Sequence, residues 1–256
     1  MLTFRVLGPL EVASERITVY PRGSKQGSLL ATLLANPRQP VSSDALIIEL
    51  WGEDYPSRVE NDLQAHVSRL RRQLAAMEPA PHRSRVVTHV SGYELIVDDE
   101  ELDAARFVTG VDEIRRASPE DSADAASRLR ELLGYWRGQA FERLDRGPVC
   151  QAAAARYEEH RIAAYQLLFD HELRNHNYSR IIPELRDLLT QYEFHETFYQ
   201  QLMIALYQSG RLSDALSVYR DLSRRLAEEF GIDPSPTMRE YEQAVLAHDP
   251  LIGAQQ

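Results

Sequence analysis

Residues 57–77 read Ser57-Arg58-Val59-Glu60-Asn61-Asp62-Leu63-Gln64-Ala65-His66-Val67-Ser68-Arg69-Leu70-Arg71-Arg72-Gln73-Leu74-Ala75-Ala76-Met77, and their period decides how the front of the chain is read. At ~100° per residue, Val59, Leu63, Val67, Leu70 and Leu74 fall within about 40° of one line, which is the buried stripe of a helix. Ser57 and Glu60 have capping-box spacing at its start, and Pro79 follows its end. The opposite face presents Arg58, Asn61, Ala65, Ser68, Arg69 and Arg72. Arginine can bridge guanine and asparagine adenine through paired hydrogen bonds, and a small residue such as Ala65 lets the helix approach base edges closely. A polar helix face is by itself usually just solvated, so what flanks this one carries the reading.

Upstream, Leu2, Phe4, Val6, Leu10, Val12, Ile17 and Val19 alternate with polar positions, with turns at Gly8-Pro9 and around Ser14-Glu15, which predicts a small antiparallel sheet. Ser24 is placed to cap a helix carrying Leu29, Leu30, Leu33 and Leu34 and stopped by Asn36-Pro37. Ser43 is placed to cap a second, carrying Leu46, Ile47, Leu50 and Trp51 and ended by Gly52. Downstream of the long helix, residues 86–90 and 93–97 are β-rich runs separated by Ser91-Gly92, a hairpin pattern. Sheet, three helices and hairpin is the order of a winged helix, with the third helix entering the major groove and the hairpin lying along the backbone. Arg71, on the flank of the long helix, and Thr88, His89 and Ser91, on the hairpin, join the candidate DNA contacts.

The charge distribution agrees. The 256-residue chain carries a net charge of -10, which opposes nucleic acid if spread evenly. Residues 1–98, however, hold 11 basic and 11 acidic residues, and residues 99–256 hold 18 against 28. Arg69, Arg71, Arg72, Arg83 and Arg85 face only Glu78 between positions 69 and 85. The acidic step Asp98-Asp99-Glu100-Glu101 predicts a boundary: a DNA-binding domain over residues 1–98 and a second domain over 99–256, so that a fragment ending near Asp98 keeps sequence preference. No apolar run approaches the ~20 residues that span a bilayer, and the start lacks the charged-then-apolar order of a secretion signal, so the chain is expected in the cytoplasm with no membrane partner.

Catalysis and cofactors find little support. Cys150 is the single cysteine, which excludes an internal disulfide or a thiolate cluster, and it reads as a small packing residue. His171 and His176, five apart, lie on different faces of a helix and form no metal pair. We therefore expect no enzyme activity, cofactor or metal.

From Leu102 onward the sequence reads as all-helical and repeats. Leu185-Arg186-Asp187-Leu188 returns as Tyr219-Arg220-Asp221-Leu222, an offset of 34 at which Leu168 also meets Leu202 and Ile182 meets Leu216. That is the tetratricopeptide period, in which helix pairs bury their apolar faces only by stacking. Breaks at Asn175-His176-Asn177 and Ser209-Gly210-Arg211 mark helix turns, and Pro234-Ser235-Pro236 should precede a terminal helix. Two rival readings remain: a tetratricopeptide adaptor, and a ligand sensor with Tyr157, Tyr165, Tyr199 and Tyr207 around a pocket rather than in a core.

Leu50-Trp51-Gly52, residues 67–74, Gly92-Tyr93-Glu94-Leu95, residues 201–211 with Asp214-Ala215-Leu216, and residues 228–236 together resemble the Streptomyces antibiotic regulatory protein family over nearly the whole chain. The resemblance implies a mixed fold, an N-terminal α+β winged helix of OmpR type followed by an all-α tetratricopeptide-like activation domain. It also implies binding to direct repeats in double-stranded promoter DNA of biosynthetic gene clusters, beside a second protomer. The further partner is RNA polymerase holoenzyme, through its sigma factor and the C-terminal domain of its alpha subunit. Gly27 stands where the family often has a larger, frequently basic residue, and Val90-Ser91 replaces prolines common before the Gly-Tyr of the wing. The ATPase module of larger relatives has no counterpart here, since no phosphate-binding Gly-rich loop ends in Gly-Lys-Ser/Thr.

Overall fold

Three short strands form where the alternation places them: β1 (Thr3–Arg5), β2 (Glu11–Ala13) and β3 (Thr18–Val19). They pair antiparallel in the order β1-β2-β3, with Phe4 opposite Val12 and Val12 opposite Val19. Our computed structural model describes residues 2–21, 25–78, 84–117 and 124–248; the Ser24 cap and Arg83 lie outside them.

Helix α1 (Lys25–Ala35) is buried from Gly27 to Ala35 and forms the middle of the front core. Helix α2 (Ser43–Trp51) is capped one residue earlier than the sequence suggests: Ser42 Oγ accepts from the Ala45 amide at 3.1 Å, and Gly52 ends the helix at φ 79°. Ser42 takes this role because it is still extended, as the last residue of a strand, β4 (Val41–Ser42). Helix α3 (Val59–Met77) starts without a side-chain cap. The Ser57–Glu60 box does not form, Arg58 holds the cap position, and the Val59 amide donates to Pro56 O at 3.0 Å instead.

The hairpin consists of β5 (Val86–Thr88) and β6 (Gly92–Leu95). Its turn is longer than Ser91-Gly92: the His89 amide donates to Gly92 O at 2.8 Å across Val90 and Ser91, so Gly92 belongs to the strand. β4 adds to the other side of β6, with Val41 opposite Tyr93, giving the order β4-β6-β5. A Cβ on Gly92 would run into the Val41 carbonyl, so only glycine admits this third strand.

The chain packs as two units, Met1–Ala117 with Glu131–Ile162, and Ser118–Arg130 with Ala163–Gln256. The packing does not divide at residue 98. The acidic step is part of the front unit: a 3-10 turn (Asp99–Glu101) leads into α4 (Asp103–Arg116), and Glu101 is buried against Arg85. Asp103, also buried, accepts from the amides of Val6 at 2.8 Å and Leu7 at 3.2 Å. The Arg137 amide donates to Leu7 O at 2.8 Å and the Phe141 amide to Val6 O at 2.9 Å. After α5 (Ala125–Leu133), helix α6 (Pro148–Arg174) begins in this unit, and the carboxylate of Glu49 on α2 accepts from the Val149 amide at 2.7 Å and the Cys150 amide at 3.0 Å.

The rear unit is a helical stack: the end of α6, then α7 (Tyr178–Gln191), α8 (Glu196–Gln208), α9 (Leu212–Phe230) and α10 (Pro236–Leu246). The helix breaks fall at 175–177 and 209–211, as the repeat predicts, and both members of the pairs Leu168/Leu202, Leu185/Tyr219 and Leu188/Leu222 are buried. Arg130 bridges Glu172 and Glu184 at 2.8 and 2.7 Å, tying helices α6 and α7. Ser235 caps α10 by accepting from the Met238 amide.

Candidate nucleic-acid interface

Helix α3 turns Val59, Leu63, Val67, Leu70 and Leu74 into the front core, all five buried. Arg58, Asn61, Ala65, Ser68, Arg69 and Arg72 are exposed. Among the described residues, none of these side chains makes a hydrogen bond or ion pair within the chain. The stripe is therefore open for an outside partner, with two guanidiniums one turn apart at Arg69 and Arg72.

The other candidates are placed differently. Arg71 is half-buried and holds the wing: its Nε donates to Val86 O at 3.0 Å and its Nη2 to Thr88 Oγ1 at 2.7 Å. Both Arg71 and Thr88 are thus engaged with each other, as a brace between α3 and β5. His89 Nε2 lies 2.6 Å from Glu94 Oε2, so a carboxylate stands beside the imidazole at the wing. The Ser91 carbonyl accepts from the Ser43 amide at 3.0 Å, fixing the wing tip to the start of α2, while the Ser91 side chain is exposed. Between them Val90 is wholly exposed, an apolar tip that the charge-led reading of the wing passed over.

The basic cluster seen in the sequence is thinned by folding. Arg85 pairs with Glu78 and Glu101 and is unavailable to phosphate. Burial alone would push the Glu101 carboxyl up, but the hydrogen bonds from Arg85 and from the Asp98 amide more than offset it and hold it below the usual range. Gly27 is buried, and a Cβ there would lie 3.1 Å from Leu144 Cδ2 and 3.2 Å from Pro21, so a larger residue needs these neighbours to give.

A cluster that sequence reasoning missed supports α3 from behind. The Nζ of Lys25, the only lysine, donates to Leu50 O at 2.9 Å and lies 4.7 Å from the centre of the Trp51 ring. The Gln26 side chain meets the His66 carbonyl at 3.1 Å and its Nδ1 at 3.2 Å. Burial, then the positive charges of Arg69 and Lys25, hold His66 below its ordinary pKa, so it stays neutral where α3 is already cationic. The spacing of residues 25, 51 and 66 gives no local signal; only packing of three helices brings them together.

Cys150 is no exception to the packing role its sequence context suggests. The Cys150 thiol is buried, and burial and the neighbouring Glu49 carboxylate push its pKa far up, which removes it as a nucleophile. Among the described residues no cluster of His, Cys, Asp or Glu is placed to hold a metal, and no helix is long and apolar enough to cross a membrane.

A winged helix with an open cationic stripe, followed in the chain by a stack of helical repeats, is the architecture of a transcriptional regulator. Comparison with known proteins agrees along the chain. The family model described as bacterial transcriptional activator domain matches residues 102–246, and that described as transcriptional regulatory protein, C terminal, matches residues 19–95. The transcriptional regulator RedD of Streptomyces coelicolor is 33% identical over 249 residues, covering 96% of this chain and 71% of its own. The regulatory protein DnrI of Streptomyces peucetius is 31% identical over 256 residues, covering 98% and 94%. The structure of Mycobacterium tuberculosis EmbR in complex with a low-affinity phosphopeptide matches with a TM-score of 0.90 and 31% identity over 99% of this chain and 67% of that one. The chain belongs to the Streptomyces antibiotic regulatory protein family of transcriptional regulators, and it is not an enzyme.

Proposed function

We propose that this protein works in the cytoplasm as an activator that binds direct repeats in the promoters of a biosynthetic gene cluster and recruits RNA polymerase. The observation that carries the reading is the exposed stripe of α3: Arg58, Asn61, Ser68, Arg69 and Arg72 surround the small Ala65, opposite a fully buried apolar stripe. Arginine and asparagine supply the donors and acceptors that read guanine and adenine in the major groove. Ser91 and the wing tip follow the adjacent backbone, and Arg71 with Thr88 sets the wing's angle to the reading helix. The acidic rear unit gains nothing from DNA and complements basic surfaces of polymerase, including its sigma factor and the C-terminal domain of its alpha subunit.

Direct repeats call for two protomers head to tail, spaced by about one helical turn of 10–10.5 bp. Footprinting on promoters of the protein's own genomic neighbourhood should show paired protection, and inserting half a turn between the repeats should abolish cooperative binding. Protection that ignores the insertion would rule out adjacent protomers, and absence of any sequence-dependent protection would favour the adaptor reading.

A further inference from the structure

Helix α9 ends in a patch that its own fold leaves uncovered. Gly231, at φ 66°, reverses the chain, and the amides of Gly231 and Ile232 donate back to Ala227 O and Leu226 O. This ending normally folds the apolar residue after the glycine onto the helix. Here Ile232 remains 53% exposed, beside Phe230 at 56%. The Phe230 ring meets that of Phe194, from the α7–α8 turn and 38% exposed, edge to face at 4.9 Å between centroids. Isolated apolar side chains on a surface mean little; two exposed aromatic rings in contact form a contiguous apolar surface, and an exposed isoleucine follows two residues after Phe230 in sequence.

The charges around these rings say what fits. Glu193, Glu228, Glu229 and Asp233 adjoin them in sequence, against Arg224 and Arg225. Those two arginines already pair with Glu228 and Glu193, while Glu229 and Asp233 are exposed and make no ion pair among the described residues. Aromatic anchors flanked in sequence by carboxylates suit an amphipathic segment with basic flanks, the anchors supplying contact energy and the acids supplying orientation and encounter rate. We propose that Phe194, Phe230 and Ile232 form the docking site for a basic amphipathic helix of the transcription machinery. The proposal rests on the activator reading and assigns that reading a surface.

The test uses the full chain, RNA polymerase holoenzyme and a promoter that the protein protects. One variant carries Phe194→Ala with Phe230→Ala, and a second carries Glu229→Arg with Asp233→Arg. All four side chains are solvent-exposed, so both variants should melt like the parent and bind the promoter within twofold of its affinity. Activation should fall about tenfold or more in each, and a photocrosslinker at position 230 should label a polymerase subunit. Undiminished activation by the Phe194→Ala/Phe230→Ala variant overturns the proposal, as does crosslinking only to residues 249–256 of the same chain or to a second copy. If the parent binds the promoter but never activates, the activator reading fails, and this inference with it.

Discussion

Replacing Glu49 by alanine tests whether the winged-helix elements and the start of α6 form one folding unit. The Glu49 side chain is buried and its two oxygens accept from the first amides of α6, Val149 at 2.7 Å and Cys150 at 3.0 Å, where the helix leaves its amides without intrahelical partners. Hydrogen bonds to a charged group are worth roughly 1.5–3 kcal/mol each, and truncation leaves one buried and one part-buried donor without this acceptor. Glu49→Ala should therefore cost about 3–5 kcal/mol, while Glu49→Gln, which keeps one carbonyl acceptor, should cost about half as much. Trp51 and Trp136 are the only tryptophans and both belong to the front unit, so urea unfolding followed by their fluorescence reports on that unit directly. A Glu49→Ala midpoint within about 1 kcal/mol of the parent would refute the idea that α2 and α6 are joined through this carboxylate.

Arg72→Ala should cost about 1–3 kcal/mol of DNA affinity and relax preference at one operator position if the guanidinium reads a base; uniform weakening with the salt slope lower by about one would mark a phosphate contact, and an unchanged Kd would remove Arg72 from the interface. Arg71→Ala frees Thr88 and the Val86 carbonyl, so it should weaken binding without changing which base is preferred at any position; a preference lost at one position would mean that Arg71 reads a base itself. Burial raises Asp103 to about 6 from 3.8, against the Val6 and Leu7 amides and Arg137, which favour its charged form. A folded pKa above the unfolded one gives stability that is full below pH 3.8 and lost as pH rises through about 6. The stability of the parent relative to Asp103→Asn should thus fall by up to about 3 kcal/mol between pH 4 and pH 7, and a flat difference would contradict it. A fragment ending at Asp98 should fail to unfold cooperatively in urea, whereas a piece covering residues 1–162 should do so; cooperative folding of the shorter fragment would place the boundary where the acidic step suggested.

Helix α3 was legible because its two faces differ at every turn: five apolar residues on one side, and arginine, asparagine and alanine on the other. The repeat was legible for a similar reason, since an offset of 34 survives wherever buried positions recur, as at Leu185/Tyr219 and Leu188/Leu222. What escaped was pairing between distant segments. β4 is two residues long and shows no alternation, and only Gly92, which must carry no side chain beneath Val41, hints at it. Arg71 and Arg85 look identical to Arg69 and Arg72 as letters, yet one braces the wing and another is enclosed by Glu78 and Glu101.

The expected boundary near residue 98 falls between the two family matches, while the compact units divide elsewhere. A run of four acids marks a step in charge, and an isolated carboxylate prefers water. Glu101 and Asp103 are instead buried, and each has a partner far away in the sequence: Arg85 for one, the Val6 and Leu7 amides for the other. Together with Glu49 they place three acidic side chains in the front unit where they satisfy donors of neighbouring elements. The family models meet between residues 95 and 102, while the packing continues to residue 162. The winged helix of this chain thus packs with the segment that follows it, so that α4 and the start of α6 belong to the same compact unit as α3.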